Sequence, residues 1–132
     1  MNEFSWPVRV YYEDTDMGGI VYYANYLRFM ERARTEWLRA VGVDQMQLKQ
    51  QCHLIFVVRH ATVDYRKAAM FDDALQVTVN VTRLGKASLT LSQAVLRQQE
   101  ILCAAVVKLG IVNLLNWHPQ PLPSAIVTAL SV

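Results

Sequence analysis

The chain has 132 residues, of which 53% are hydrophobic and 18% charged, and its formal net charge is +2. This length predicts a single domain over residues 1–132 that can bury a core without disulfides or metals. The small charge and the lack of a Lys/Arg stripe argue against nucleic-acid binding. Neither a secretory signal nor an apolar run suited to a transmembrane helix is recognisable. The apolar excess over an average soluble domain indicates surface buried between subunits.

The first predicted element is a strand in the segment WPVRVYYEDTD, where Val8, Val10 and Tyr12 lie on one face. A turn-forming cluster between Asp14 and Gly19 ends this strand. Aspartate, threonine and paired glycines favour an irregular backbone in such a cluster.

A long helix is predicted next, in the segment NYLRFMERARTEWLRAVG. Apolar residues recur there at helical spacing and form one stripe: Leu27, Met30, Trp37, Leu38 and Val41. Gly42 is expected to end the helix, because glycine readily adopts the left-handed conformation that follows many helices.

From His53 onward the pattern changes to a period of two, which is typical of strands. The segment HLIFVVRHATVDY predicts one strand, and ALQVTVNVTRL predicts the next, with Leu75, Val77, Val79 and Val81 on one face. Turns at Gly85-Lys86 and at Gln98-Gln99-Glu100 lead into two further strands. We therefore predict an antiparallel meander of about four strands.

The tail HPQPLPSAIVTALSV predicts a docked C-terminal turn or helix. A helix with an apolar stripe and a sheet with an apolar face must bury each other, so the fold class is α+β, with the sheet wrapped around the helix. Cys52 and Cys103 lack metal-ligand spacing and are expected to be reduced thiols, and the three histidines share no ligand spacing. No metal site is predicted.

The candidate chemistry lies between Tyr11 and Tyr26, where Asp14 and Asp16 precede two glycines and the start of the long helix. Backbone amides at a helix N-terminus carry partial positive charge and can bind a polarised carbonyl oxygen. A carboxylate facing them has the parts of an acyl-transfer site. An Asp-Thr-Asp beside glycines is also common turn and capping chemistry. We assign that structural role to Asp14.

The run YYEDTDMGGIVYYANYLRFMERARTEWL resembles the signature of the 4-hydroxybenzoyl-CoA thioesterase family, and within it the branch associated with the Tol-Pal cell-envelope system. The resemblance extends more weakly to FVVRHATVDYRKAAMFDDAL. It implies a hotdog fold, in which a curled antiparallel sheet wraps the long helix. It also implies dimers joined edge to edge, often paired into tetramers, with active sites at the dimer interface.

Carried over by position, Asp16 matches the family's catalytic carboxylate, and the Tyr23 backbone N–H matches the group that polarises the thioester carbonyl. Asp16 either attacks the carbonyl or activates water as a general base. The position of Tyr23 is frequently histidine in the Tol-Pal branch. A phenol with a pKa near 10 is a poor proton shuttle, so the backbone amide of Tyr23 is favoured over its ring.

Substrate-binding candidates lie in two places. Arg83, Lys86 and Ser88 flank a strand turn that in similar proteins approaches the phosphates of coenzyme A, although a solvated hairpin is an equal alternative. Asn25 and Tyr26 either line the pocket or start the helix, since asparagine is a good helix cap. No cofactor is expected, because coenzyme A is part of the substrate.

The leading functional hypothesis is hydrolysis of a small or medium acyl-CoA or acyl-carrier-protein thioester. The alternative is a non-catalytic acyl-thioester binding or scaffold protein of the cell envelope. A hotdog dehydratase is disfavoured, because the segment from Tyr11 to Tyr26 contains no histidine. A homodimer or homotetramer is expected, located in the cytoplasm or peripherally at the inner membrane.

Overall fold

The computed structural model describes residues 3–131, and this part of the chain contains five strands and three α-helices. Strand β1 and helices α1 and α2 come first, strands β2 to β5 follow, and helix α3 comes last. Their bounds are β1 Phe4–Arg9, α1 Asn25–Ala40, α2 Gln45–Cys52, β2 Leu54–Tyr65, β3 Ala74–Leu84, β4 Ser88–Arg97, β5 Glu100–Asn113 and α3 Ser124–Leu130.

The strands form one antiparallel sheet in the order β1-β3-β4-β5-β2. Strands β3, β4 and β5 form the expected meander, but the prediction of a four-strand meander is wrong for β2. This strand pairs with β5, with Val63 opposite Ala105, and it is not hydrogen-bonded to β3. Residues 66–73, which we call the crossover segment, carry the chain from β2 past the ends of β5 and β4 to β3.

The inner face of the sheet packs on helix α1, which is the hotdog arrangement that the resemblance implies. The buried side chains of α1 are Asn25, Tyr26, Phe29, Met30, Ala33, Trp37 and Leu38. Leu27 was predicted to belong to the buried stripe, but 42% of it is exposed, because the buried face is centred on Phe29 and Met30. Gly42, with φ of +87°, follows the end of α1 as predicted.

Strand β1 is shorter than the sequence predicts. It ends at Arg9, and residues Tyr12–Asp14 form a short 3₁₀ turn. Val8 and Val10 are buried as expected, whereas Tyr12 is 81% exposed, because the chain leaves the strand alternation after Val10. The turn brings the following residues across to the start of α1.

A buried glutamine that was not predicted from the sequence links the sheet to α1. Gln93 on β4 is 1% exposed, and its Nε2 donates to the carbonyl oxygens of Met30 at 3.1 Å and Thr78 at 3.3 Å. Its Oε1 accepts a hydrogen bond from Arg34 at 3.0 Å. Because every polar atom of this amide is bonded, its burial carries little cost.

Two short helices complete the described chain. Helix α2 was not predicted; its N-cap is Asp44, whose carboxylate accepts the Gln47 N–H at 3.0 Å, and it ends at His53, which has φ of 59°. Of the expected C-terminal turn or helix, the structure has the helix, α3. No helix within residues 3–131 is long and apolar enough to cross a membrane.

Candidate active site

The segment from residue 14 to 24, which we call the Asp16 loop, folds into a small hairpin before α1. Thr15 pairs with Val21, and the Asp16 N–H donates to the Ile20 carbonyl oxygen at 3.0 Å. The Gly19 N–H closes the turn by donating to the Asp16 carbonyl oxygen at 3.0 Å. Gly19 has φ of +77°, a conformation that favours glycine. Both the N–H and the carbonyl oxygen of Asp16 are therefore hydrogen-bonded within the hairpin.

The Asp16 side chain is exposed at this turn. Its Oδ1 accepts the Gly18 N–H at 3.0 Å, which fixes the orientation of the carboxylate. Within the part of the chain that the structure describes, the second oxygen accepts no hydrogen bond. The carboxylate is thus oriented through Oδ1, and Oδ2 is open to a ligand or to water.

The backbone turns from the Asp16 loop into α1 at Tyr22 and Tyr23. The Tyr22 N–H donates to the Asp14 carbonyl oxygen at 3.0 Å, and the Asn25 N–H donates to the Tyr22 carbonyl oxygen at 2.8 Å. The N–H groups of Tyr23 and Ala24 donate to no acceptor among residues 3–131. Unpaired amides at the positive end of a helix are suited to an oxygen that gains negative charge.

Asp14 differs from Asp16 in burial and bonding. It is 5% exposed, its Oδ2 accepts the Tyr11 N–H at 2.8 Å, and its Oδ1 accepts Asn25 Nδ2–H at 3.1 Å. Both carboxylate oxygens therefore hold loop and helix together. Asn25 begins α1, which is one of the two predicted alternatives, but it is not the cap: the N-cap is Ala24, and the Asn25 side chain is directed to Asp14.

An aromatic cavity of about 270 Å³ lies beside Tyr23. Its walls include the rings of Tyr23, Tyr26 and Tyr65. The ring of Tyr65 contacts Tyr23 and Tyr26 edge-on, with centroids 6.0 Å and 5.6 Å away. Tyr26 is buried, and its hydroxyl accepts the Ala69 N–H at 2.9 Å. Tyr65 was not predicted as a site residue, since strand alternation gives its face but not its distance from α1.

Cys103 lies opposite Tyr65 in the sheet and is fully buried. Burial raises the pKa of its thiol to about 11, and the negative charge of Asp64 acts in the same direction. The thiol is therefore protonated at neutral pH and is not a nucleophile for this site.

The predicted coenzyme A contacts lie far from the predicted catalytic residues within one chain. Arg83, Lys86 and Ser88 lie around the turn after β3, where the Gly85 N–H donates to the Ser88 carbonyl oxygen at 2.9 Å. The Asp16 loop lies near the opposite end of this strand. Strand β3 has 11 residues, so the two ends are roughly 35 Å apart. Within one chain, Arg83, Lys86 and Ser88 are therefore too far away to share a site with Asp16 and Tyr23.

Comparison with known proteins agrees with this geometry. Residues 18–104 match the family model described as the thioesterase superfamily. The chain is 44% identical to the acyl-CoA thioesterase YbgC of Haemophilus influenzae, over 97% of this chain and 94% of that protein. It is 43% identical to the acyl-CoA thioester hydrolase YbgC of Escherichia coli, over 94% and 92% of the two chains.

The fold likewise matches solved structures. The probable thioesterase of Bartonella henselae superposes with a TM-score of 0.88 at 34% identity, covering 92% of this chain and all of that one. The sheet order, the enclosed helix and the loop before it are thus accompanied by sequence similarity along nearly the whole chain. This chain belongs to the thioesterase superfamily and has its hotdog fold.

Proposed function

We propose that the protein hydrolyses the thioester of a small or medium acyl-CoA or acyl-carrier protein, with Asp16 as the catalytic carboxylate and the Tyr23 N–H as the carbonyl-polarising group. The observation that carries this proposal is the exposed, oriented Asp16 carboxylate in a hairpin that leads directly to the unpaired N–H of Tyr23. The names of the relatives in Haemophilus influenzae and Escherichia coli support the choice of acyl-CoA.

Two routes use the same groups. In the nucleophilic route, an oxygen of Asp16 bonds to the acyl carbon, the C–S bond breaks, and the departing thiolate takes a proton from solvent. Water then cleaves the mixed anhydride to the free acid and restores the carboxylate. In the general-base route, Asp16 takes a proton from the attacking water and returns it to the thiolate as the C–S bond breaks. In both, the Tyr23 N–H stabilises the developing oxyanion.

Rapid quenching of a single turnover, followed by mass spectrometry of the digested protein, distinguishes the two routes. In the nucleophilic route, the peptide that contains Asp16 carries the mass of the acyl group during a single turnover. In the general-base route, this peptide keeps its own mass at every time point. The proposed function itself is tested by thiol release from a panel of acyl-CoA substrates, compared between the wild type and Asp16→Asn. A wild type that releases no thiol from any of them leaves acyl-thioester binding without catalysis as the function.

We propose further that two chains pair along β2. This strand is at the edge of the sheet, is 12 residues long, and exposes the apolar residues Val58 and Tyr65 by 53% and 43%. A long, partly apolar edge is a ready template for a second strand. Light scattering should give a mass of twice the 15.1 kDa of one chain, or four times if dimers pair again. A mass of 15.1 kDa at micromolar concentration contradicts the pairing.

Antiparallel pairing of two β2 strands has a directional consequence for coenzyme A. Strand β2 runs opposite to β3, so β3 of the second chain runs opposite to β3 of the first. The turn after β3 of the second chain then lies on the side where the first chain has its Asp16 loop. The partner's Lys86, together with Arg83 and Ser88 beside it in sequence, is thereby on the side of the first chain's Asp16 loop, where it could donate to the phosphates of a bound acyl-CoA.

Replacing Lys86 by alanine is therefore expected to raise KM for acyl-CoA by roughly three- to tenfold, because one charge-assisted contact to a phosphate is lost. The value of kcat should stay within twofold, since Lys86 is remote from the reacting atoms. Hydrolysis of an N-acetylcysteamine thioester, which lacks phosphates, should not change. Lys49→Ala removes an exposed lysine of α2 and is the matched control. An equal rise in KM for both kinds of thioester contradicts phosphate binding by Lys86.

A further inference from the structure

The crossover segment supports the part of the Asp16 loop that follows its turn. The Val21 N–H donates to the Ala69 carbonyl oxygen at 2.8 Å, and the Phe71 N–H donates to the Gly19 carbonyl oxygen at 3.3 Å. The Ala69 N–H is held from the other side by the hydroxyl of Tyr26 at 2.9 Å. The position of the Asp16 loop thus depends on the position of the crossover segment.

Backbone hydrogen bonds hold both ends of the crossover segment, and one arginine at the end of β4 adds side-chain contacts to it. Arg97 Nη1 donates to Asp73 Oδ2 at 2.8 Å and to the Ala68 carbonyl oxygen at 3.3 Å. Asp73 Oδ2 also accepts the Met70 N–H at 2.8 Å. Arg97 Nη2 donates to Glu100 Oε1 at 3.3 Å, which fixes the plane of the guanidinium. One side chain therefore joins both ends of the turn that carries Ala69.

The contacts among Arg97, Asp73, Glu100 and Lys67 favour the charged forms of Arg97 and Glu100. The hydrogen bond that Arg97 donates to Asp73 raises the pKa of the Arg97 guanidinium. The ammonium of Lys67, which is hydrogen-bonded to Glu100, lowers the pKa of that carboxyl, and Arg97 lowers it further. The side chains of Arg97 and Asp73 are 30% and 22% exposed, so solvent weakens but does not remove their attraction.

We propose that Arg97 is a positioning residue for Asp16, acting through the crossover segment. Arg97 bonds to Ala68 and Asp73 in the crossover segment. The neighbouring Ala69 bonds to Val21 in the Asp16 loop. Next to Val21, Ile20 bonds to the main chain of Asp16 and so fixes where its carboxylate lies. This inference rests on the proposed role of Asp16. Arg97 itself is bonded to the crossover segment and to Glu100, so it acts on the geometry of Asp16 and not on the substrate.

Arg97→Gln is expected to lower kcat about fivefold with KM unchanged, because a partly exposed ion pair contributes up to about 1 kcal/mol, or roughly fivefold in rate. Arg97→Lys keeps the charge beside Asp73 and should recover part of the loss. Hydrogen exchange measured by NMR should be faster at the amides of Val21 and Ala69 in Arg97→Gln, while amides of the β4–β5 ladder keep their wild-type rates.

The matched control is Arg39→Gln, which removes an arginine in an exposed ion pair with Glu36 at the other end of α1. It should change neither kcat nor exchange at Val21. Unchanged exchange at Val21 and Ala69 in Arg97→Gln overturns the proposal, as does faster exchange without a fall in kcat. If the wild type hydrolyses no acyl-CoA, the proposed function fails, and with it any role of Arg97 in positioning a catalytic Asp16. Exchange then still shows whether Arg97 holds the loop.

Discussion

Replacing Asp16 by asparagine is expected to lower kcat for acyl-CoA hydrolysis by roughly 10²- to 10⁴-fold, the range ascribed to a positioned acid–base group. Asparagine has the size of aspartate and keeps one carbonyl oxygen, so the Gly18 N–H, 3.0 Å from Asp16 Oδ1, retains an acceptor. The side chain is exposed, and the free energy of unfolding should change by less than about 0.5 kcal/mol. Asp16→Asn should therefore lose hydrolytic activity and keep the stability of the wild type.

The measurement is steady-state thiol release combined with urea unfolding of the same preparations. Asp44→Asn is the matched control, because Asp44 is also exposed and its carboxylate also accepts one nearby backbone N–H, that of Gln47 at 3.0 Å. Asparagine caps a helix as well as aspartate does, so this variant loses the same charge without a change in stability or kcat. An Asp16→Asn enzyme within threefold of wild-type kcat removes Asp16 from the mechanism.

The inward face of β3 and the end of α1 could be predicted from short patterns in the sequence. The inward face of β3, with Leu75, Val77 and Val79, follows from a period of two, and the structure buries all three. The end of α1 follows from Gly42, which adopts the left-handed conformation. These features depend on residues that are neighbours along the chain, where periodicity and turn chemistry apply directly.

Features that depend on distant residues were not predicted. The position of β2 beside β5 is set by pairing across about 50 residues, which alternation alone does not reveal. The buried Tyr26 hydroxyl accepts the Ala69 N–H from a remote segment, a contact that helical periodicity does not reveal. The contact of Arg97 with Asp73 also depends on the crossover. The roles of Asp16 and Tyr23 came from the family resemblance and stay predictions.

The same substitution two residues earlier is expected to damage the fold. Asp14 is 5% exposed, and its two oxygens accept the Tyr11 N–H and Asn25 Nδ2–H at 2.8 Å and 3.1 Å. Asparagine offers one acceptor oxygen and one NH₂ group, so one of these donors must face another donor. We expect Asp14→Asn to lower the free energy of unfolding by about 2 kcal/mol, the cost of a buried donor without a partner. Urea denaturation followed by tryptophan fluorescence measures it.

The two aspartate variants are also separated by how their activity responds to a stabilising osmolyte. Loss of the Asp14 contacts should also disorder the Asp16 loop and thereby lower kcat of Asp14→Asn. Trimethylamine N-oxide favours the compact state, so it should restore part of this kcat by restoring the order of the loop. It should not restore Asp16→Asn, where the loop is intact and the reacting carboxylate is missing. An Asp14→Asn protein as stable as wild type that nevertheless loses its activity would transfer the chemical role to Asp14, and Asp16 would then be the turn residue.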